Sequence, residues 1–162
     1  MQPTKQHKVT ALIITYNEMG YIENCIDSVR FADEIIVVDS YSTDGTFEHL
    51  SQDPDVKVLQ NPFENFTQQK SFALDQASND WVLFLDADEV VTDPLREEIE
   101  QTLQADPPHV AYWFYRKFMF GKSPLHFSGW QTDKNYRLFR RSKARFSDRK
   151  LVHETLEIDG SS

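Results

Sequence analysis

The sequence Asp86-Ala87-Asp88-Glu89 follows directly on the apolar run Trp81 to Leu85 (WVLFL). Alternate residues leave a strand end on one side, so Asp86 and Asp88 can share a site. Two neighbouring carboxylates are costly unless a cation or a proton neutralises them. Mn2+ or Mg2+ suits that need, because these ions prefer hard oxygen ligands and commonly combine one or two carboxylates with water and phosphate oxygens. The spacing can therefore hold a metal-bound diphosphate. The plainer alternative is that two aspartates close a strand and open a turn. Two further polar clusters follow apolar runs in the same way: Tyr16-Asn17-Glu18 after Val9 to Thr15, and Asp39 with Asp44 after Glu34 to Val38.

The elements that must position these residues follow from periodicity. Val9 to Thr15 (VTALIIT), Glu34 to Asp39 (EIIVVD), Val56 to Gln60 and Trp81 to Leu85 read as strands, rich in β-branched or aromatic residues and bounded by polar turns. Between them, Ile22, Cys25, Ile26 and Val29 recur at helical spacing, a short helix carries Phe47 and Leu50, and a third helix is expected over Thr67 to Ala77. Asp93 reads as the N-cap of a fourth helix, with Pro94 at its first position and Leu95, Ile99 and Leu103 as its buried stripe. Alternating strands and helices with near-continuous apolar strands predict an α/β fold, a mostly parallel sheet flanked by helices, in which ligands bind beyond the carboxyl ends of the strands. All three polar clusters fall at that edge. After Pro108 the pattern changes to an aromatic-rich run, Val110 to Phe120, and short strands at Tyr136 to Phe139 and Ala144 to Phe146, a small α+β addition. The aromatic run, from Tyr112 to Phe120, alternates too densely to be all ligand platform and is assigned to packing.

Composition sets bounds. With 162 residues, 40% hydrophobic and 27% charged, the chain has the size and make-up of one globular domain. No apolar stretch is long enough to span a membrane, and the polar start from Met1 to Lys8 lacks the pattern of a signal peptide, so a cytoplasmic location is expected. The lone Cys25 falls on an apolar helix face and reads as a buried structural thiol rather than a nucleophile. The net charge of −9 hides an asymmetry, because residues 116–150 carry 11 of the 17 basic residues against only Asp133 and Asp148. That segment can face something anionic or be an ordinary salt-bridged surface; no zinc or RNA-binding pattern accompanies it, which argues against a nucleic-acid reader.

The runs ALIITYNE, EIIVVDSYSTDGT and QQKSFALDQASNDWVLFLDADE, in this order and spacing, resemble glycosyltransferase family 2, inverting enzymes with the GT-A fold. The resemblance covers essentially Val9 to Glu157, and RLFRRSKARFSDRKLVHETLE is most similar to the branch containing bacterial lipopolysaccharide-core β-glucosyltransferases. It implies one GT-A domain, with residues 9–107 binding the nucleotide-sugar and residues 108–162 beginning the acceptor side. It further implies that Thr15, Tyr16, Asn17 and Glu18 form the first nucleoside-contacting loop, that Asp39 hydrogen-bonds the base, that Asp86 lies against the ribose or the metal, and that Asp88 binds the metal bridging the diphosphate. Asp39 can accept from the imide N–H of uracil, a donor cytosine lacks at that ring position, which favours UDP over CDP. Asp39, Asp44 and Gly45 are also good turn chemistry, and Tyr16 can equally be a core residue.

Four other residues complete the expected site. Lys70, early in the third helix, can balance the acidic edge or touch the pyrophosphate, the alternative being a solvated helix lysine. Trp130, in Ser128-Gly129-Trp130, can stack on a sugar ring or simply pack. His153 offers a neutral imidazole to complete Mn2+ coordination. Glu154, away from the cation, can keep a pKa nearer the working pH than Asp86 or Asp88 and is the expected base. The reaction so predicted moves a sugar from a UDP-sugar such as UDP-glucose to an acceptor hydroxyl of a glycan or lipid-linked, phosphate-bearing acceptor, in lipopolysaccharide or cell-envelope polysaccharide synthesis, with peripheral contact at the cytoplasmic membrane face. Two rivals stand beside it. A sugar nucleotidyltransferase should carry a Gly-rich loop after the first strand, where this chain has Tyr-Asn-Glu. A non-catalytic binding module is suggested by the ending at Gly160-Ser161-Ser162, since family members commonly continue; a truncated acceptor side and donor binding without robust turnover are expected.

Overall fold

The computed structural model describes residues 7–115, 117, 119–120, 123–124, 134–147 and 155–162. Four strands, β1 (Val9–Thr15), β2 (Glu34–Asp39), β3 (Val56–Gln60) and β4 (Trp81–Asp86), alternate with four helices, α1 (Ile22–Ser28), α2 (Thr46–Ser51), α3 (Phe66–Gln76) and α4 (Asp93–Gln104). Then come β5 (Ala111–Tyr115), the short β6 (Met119–Phe120) and β7 (Ser123–Pro124), β8 (Lys134–Arg140), a 3-10 turn, β9 (Ala144–Ser147) and β10 (Thr155–Ile158). The main sheet runs β3-β2-β1-β4-β8-β5, with the first four parallel and β8 antiparallel to both neighbours. Part of the C-terminal third thus completes the main sheet, while β9 pairs with β10 in a separate antiparallel ribbon. Among the described residues no helix is long and apolar enough to cross a membrane.

Strands β1, β2 and β4 are buried on both faces, which is why they read as near-unbroken apolar runs, while β3 at the sheet edge is only partly buried. Alternation divides each strand between two cores. Val9, Ala11, Ile13, Val37, Leu83 and Leu85 pack with Ile22, Cys25 and Ile26 of α1 and Ile99 and Leu103 of α4. Leu12, Ile14, Ile36, Val38, Val82 and Phe84 pack with Ala73 and Leu74 of α3 and with Phe139 of β8. Burying one such aliphatic or aromatic side chain contributes about 1.5–3 kcal/mol, so the central strands anchor the domain.

Two helix starts differ from the pattern-based assignment. The N-cap of α4 is Thr92, whose hydroxyl accepts from the Leu95 N–H at 3.4 Å; Asp93 is already the first helical residue. In α3 the cap is Asn65, accepting from the Gln68 N–H at 2.8 Å, and the helix begins one residue earlier than expected. At the amino edge of the sheet, Glu34 accepts from Thr10 Oγ1 at 2.7 Å, the Ser78 N–H at 2.9 Å and Ser78 Oγ at 2.7 Å. Burial alone would push its carboxyl up, but these donors outweigh burial and hold it below the usual range.

Candidate functional site

Strand register builds the site. Thr15 pairs with Asp39, Asp39 with Gln60, and Ile14 with Asp86, so the carboxyl ends of β1, β2, β3 and β4 stand level. Each strand then gives way to a polar loop, and the β1–α1 and β2–α2 loops are latched together. The Asn17 N–H donates to Ser42 Oγ at 2.9 Å, the Thr43 N–H to Asn17 Oδ1 at 2.7 Å, the Glu18 N–H to Thr46 Oγ1 at 3.2 Å and the Met19 N–H to Asp44 Oδ2 at 3.2 Å. Two non-glycine residues in these loops hold a positive φ, Asn17 at 53° and Tyr41 at 62°. Such backbone costs energy and persists where surrounding contacts over-determine it, as this latch does. Gly45, at φ 95°, precedes α2 in a conformation other residues rarely take.

The expected nucleotide residues divide into a buried layer and an exposed one. Thr15 is buried, and its hydroxyl has no hydrogen-bond partner among the described residues. Tyr16 is 56% exposed at the mouth of the site, which removes the core alternative. Asp39 is fully buried: it accepts from the Ser42 N–H at 2.9 Å, from the Ser42 hydroxyl, and from Gln60 Nε2 at 3.4 Å. In this structure, then, Asp39 ties its own loop. Asp44 is a turn and helix-start residue, accepting from the N–H and hydroxyl of Thr46.

Lys70 is not a solvated helix lysine. It is 9% exposed, and its Nζ lies 5.9 Å from the ring of Phe66, 6.0 Å from Phe84 and 5.9 Å from Phe146. Phe84 stands two residues before Asp86 on β4, which puts this charge beneath the same strand end. Beside it, Gln69 is also buried and donates to Ser40 Oγ at 3.0 Å, while Asn61 Nδ2 donates to its carbonyl at 2.8 Å. Trp130, His153 and Glu154 lie outside the described residues, so the platform, imidazole and base expected there have no described position.

The acidic edge gathers Glu18, Asp44, Asp86, Asp88 and Glu89. Burial raises the Glu18 carboxyl above its usual value, and Asp88, Asp44 and Asp86 raise it further, in that order. Asp88 is exposed and makes no hydrogen bond or ion pair with a described residue. No three of the described acidic, histidine or cysteine side chains form a ready-made metal cage. That arrangement fits a divalent cation that takes one or two protein carboxylates and draws its other ligands from phosphate and water.

Arg137 of β8 and Glu89 were not found from the sequence. The Arg137 guanidinium lies 3.2 Å from the Glu89 carboxylate and 3.5 Å from Asp86 Oδ2. Glu89 Oε1 in turn accepts from the Asp86 N–H at 2.7 Å. Glu89 had a visible signal, its place directly after the Asp-x-Asp; Arg137 was one of many cations in a basic run. Other arginines of that run also pair with the protein's own acids: Arg140 lies 3.2 Å from Asp80 and over the Trp81 ring, and the exposed Arg145 lies 2.7 Å from Glu157. Lys117, Arg141 and Lys143 make no ion pair with a described residue. Below the edge, the Cys25 thiol donates to the Asp86 carbonyl at 3.6 Å; burial, reinforced by Glu89, Asp88 and Asp86, pushes its pKa up to about 12. A thiol so placed is inert.

Comparison with known proteins supplies an independent view. A family model, Glycosyl transferase family 2, matches residues 10–155. The lipopolysaccharide core biosynthesis glycosyltransferase LpsC of Rhizobium meliloti is 33% identical over 160 residues, covering 94% of this chain and 58% of LpsC. An uncharacterized glycosyltransferase of Rickettsia bellii is 47% identical over 94 residues, 57% of this chain and 32% of its own length. The chain therefore spans little more than half of the first of these relatives and about a third of the second. Among solved structures, S. aureus TarS 1-349 in complex with UDP-GlcNAc superposes with a TM-score of 0.59 at 24% identity, covering 72% of this chain and 36% of that one. The mannosyltransferase PcManGT from Pyrobaculum calidifontis, in complex with GDP-Man and Mn2+, superposes with a TM-score of 0.55 at 30% identity, covering 67% and 35%.

Proposed function

Because the chain belongs to glycosyl transferase family 2, we propose that it binds a UDP-sugar at the carboxyl edge of its sheet and serves the transfer of that sugar, with inversion, to an acceptor hydroxyl. The observation that carries this reading is the gathering of Glu18, Asp44, Asp86 and Asp88 at one strand edge, with Asp88 left exposed. Such a concentration of negative charge at the edge where α/β sheets bind ligands calls for a cation, and Mn2+ or Mg2+ with a diphosphate meets that need. A relative solved with GDP-Man and Mn2+ supports the pairing of nucleotide-sugar and metal.

In this reading Asp88 would hold the cation, which would supply positive charge to the departing diphosphate. Asp86 accepts from a ribose hydroxyl, Tyr16 and the latched Asn17–Glu18 backbone flank the nucleoside, and Lys70 adds positive potential from beneath β4. The uracil imide N–H replaces the Ser42 hydroxyl as donor to Asp39. Glu154 takes the acceptor proton as the acceptor oxygen bonds to the anomeric carbon and the bond to the diphosphate breaks; His153 serves the cation and Trp130 the sugar. The likeness to LpsC supports a lipopolysaccharide-core or other cell-envelope acceptor, and the unpaired Lys117, Arg141 and Lys143 suit one that is phosphorylated or lipid-linked, with peripheral contact at the inner face of the cytoplasmic membrane.

Titration calorimetry with UDP, GDP and ADP, with and without Mn2+, tests the donor site. Metal-enhanced binding of UDP over GDP and ADP is expected. Preference for GDP would keep the site and overturn the uracil contact, and no binding of any nucleotide would overturn the reading itself.

A further inference from the structure

Arg137 has no part in the reaction as proposed, yet it is built into the acidic edge. It is nine-tenths buried, and its Nη2 faces Glu89 at 3.2 Å and Asp86 Oδ2 at 3.5 Å, while Nη1 lies 3.4 Å from the Phe84 carbonyl. Its Nε has no hydrogen-bond partner among the described residues. Glu89 is committed twice, to Arg137 and to the Asp86 N–H. Asp88, two residues along the same strand exit, has no such partner. Arginine remains charged at any working pH, so this positive charge is permanent, and its fork of donors suits two carboxylates at once.

We propose that Arg137 is a positioning residue, a resident counter-cation that reserves Asp86 and Glu89 from the metal and leaves Asp88 as the strand-end carboxylate open to a divalent ion. The inference rests on the donor-site reading and sharpens it, since Asp86 so held is turned to hydroxyl recognition rather than coordination. Carboxylates at a strand end would otherwise compete for one cation, and a fixed guanidinium settles the competition before ligand arrives. Asp86 and Asp88, two aspartates of one motif, thereby acquire different partners although their chemistry is the same.

Mn2+ binding, followed by loss of the free-ion electron paramagnetic resonance signal at saturating UDP and again without nucleotide, tests it, with circular dichroism confirming the fold. Arg137→Gln should bind Mn2+ more tightly by about tenfold, because a carboxylate is released to the ion. Arg137→Lys, which keeps the charge, should stay near wild type, and Asp86→Asn in the Arg137→Gln background should abolish the gain. Measured without nucleotide, Asp86→Asn alone should cost much less Mn2+ affinity than Asp88→Asn does. Unchanged or weaker Mn2+ binding in folded Arg137→Gln overturns the inference. If Arg137→Gln does not fold, Asp86→Asn alone decides, and a loss as large as that of Asp88→Asn overturns it. Should the wild type bind no Mn2+, the metal reading fails by itself; Mn2+ binding acquired by Arg137→Gln would still support the inference, and none acquired would overturn it.

Discussion

Asp39→Ala separates a binding role from a structural one. The carboxylate accepts from the Ser42 N–H at 2.9 Å, from the Ser42 hydroxyl and more weakly from Gln60 Nε2 at 3.4 Å, all in a fully buried position. Hydrogen bonds to a charged acceptor contribute about 1.5–3 kcal/mol each, and two strong ones are lost; partial hydration of the half-buried Ser42 donors offsets some of this, leaving about 2–4 kcal/mol of destabilisation. Against a total stability of about 5–15 kcal/mol the protein should still fold, with a lower urea midpoint and an unchanged slope. Releasing Ser42 also loosens its bond to the Asn17 N–H, so the first loop should exchange its amide hydrogens faster. Uridine binding should fall by a further 1–3 kcal/mol or so if the base contact is made, with ADP affected less. A variant as stable as wild type, with unchanged exchange at Asn17, would refute the claim that Asp39 ties the loop.

Three further outcomes follow from the same geometry. Asp88→Asn should abolish Mn2+-dependent UDP binding in calorimetry while the melting temperature stays close to wild type, since an exposed carboxylate with no partner contributes little to stability. Glu34 has a depressed carboxyl, so its contribution is present above the usual value of 4.5 and is lost as the pH falls below it; Glu34→Gln should flatten the acid limb of stability against pH, and an unchanged limb would dismiss the three-donor clamp. Native protein should leave Cys25 unlabelled by thiol reagents near neutral pH, with full labelling after unfolding, because its thiol is buried and pushed up to about 12.

The parallel half of the fold was legible because its rules are local. β-Branched runs such as VTALIIT and EIIVVD, each stopped by polar turn residues, matched the observed strands to the residue. Helix caps were harder: Thr92, Asp93 and Pro94 offer two good capping side chains in a row, and only the Thr92 hydroxyl meets the Leu95 N–H. At the site, Asp86, Asp88, Asp39 and Glu18 were visible because turn position and carboxylate spacing carry chemistry in one dimension. Arg137 was not, because its meaning depends on β8 lying antiparallel beside β4, and a period of two does not tell a strand which neighbour it has. The acid-paired arginines at 140 and 145 were hidden for the same reason, so a basic stretch that suggested an anionic partner is in part satisfied by the protein's own acids. Lys70 left two readings open, a site cation or a solvated lysine, since nothing local announces three phenylalanine rings drawn from α3, β4 and β9.

Strand order also bears on how the chain assembles during synthesis. β5 leaves the ribosome before β8, yet its place in the sheet is beyond β8, and among the described residues its only strand pairing is to β8. Residues 111–115, with their aromatic side chains, must therefore wait for residues 134–140 to dock against β4 before they have a ladder to join. Until then Asp86 and Glu89 also lack their guanidinium. The four parallel strands and their helices can collapse first on nearby contacts, whereas the antiparallel pair closes late over a long separation, the step at which an open edge and uncovered aromatic surface invite association with another chain. The guanidinium of the acidic edge and the pairing partner of β5 are thus carried by one strand, β8.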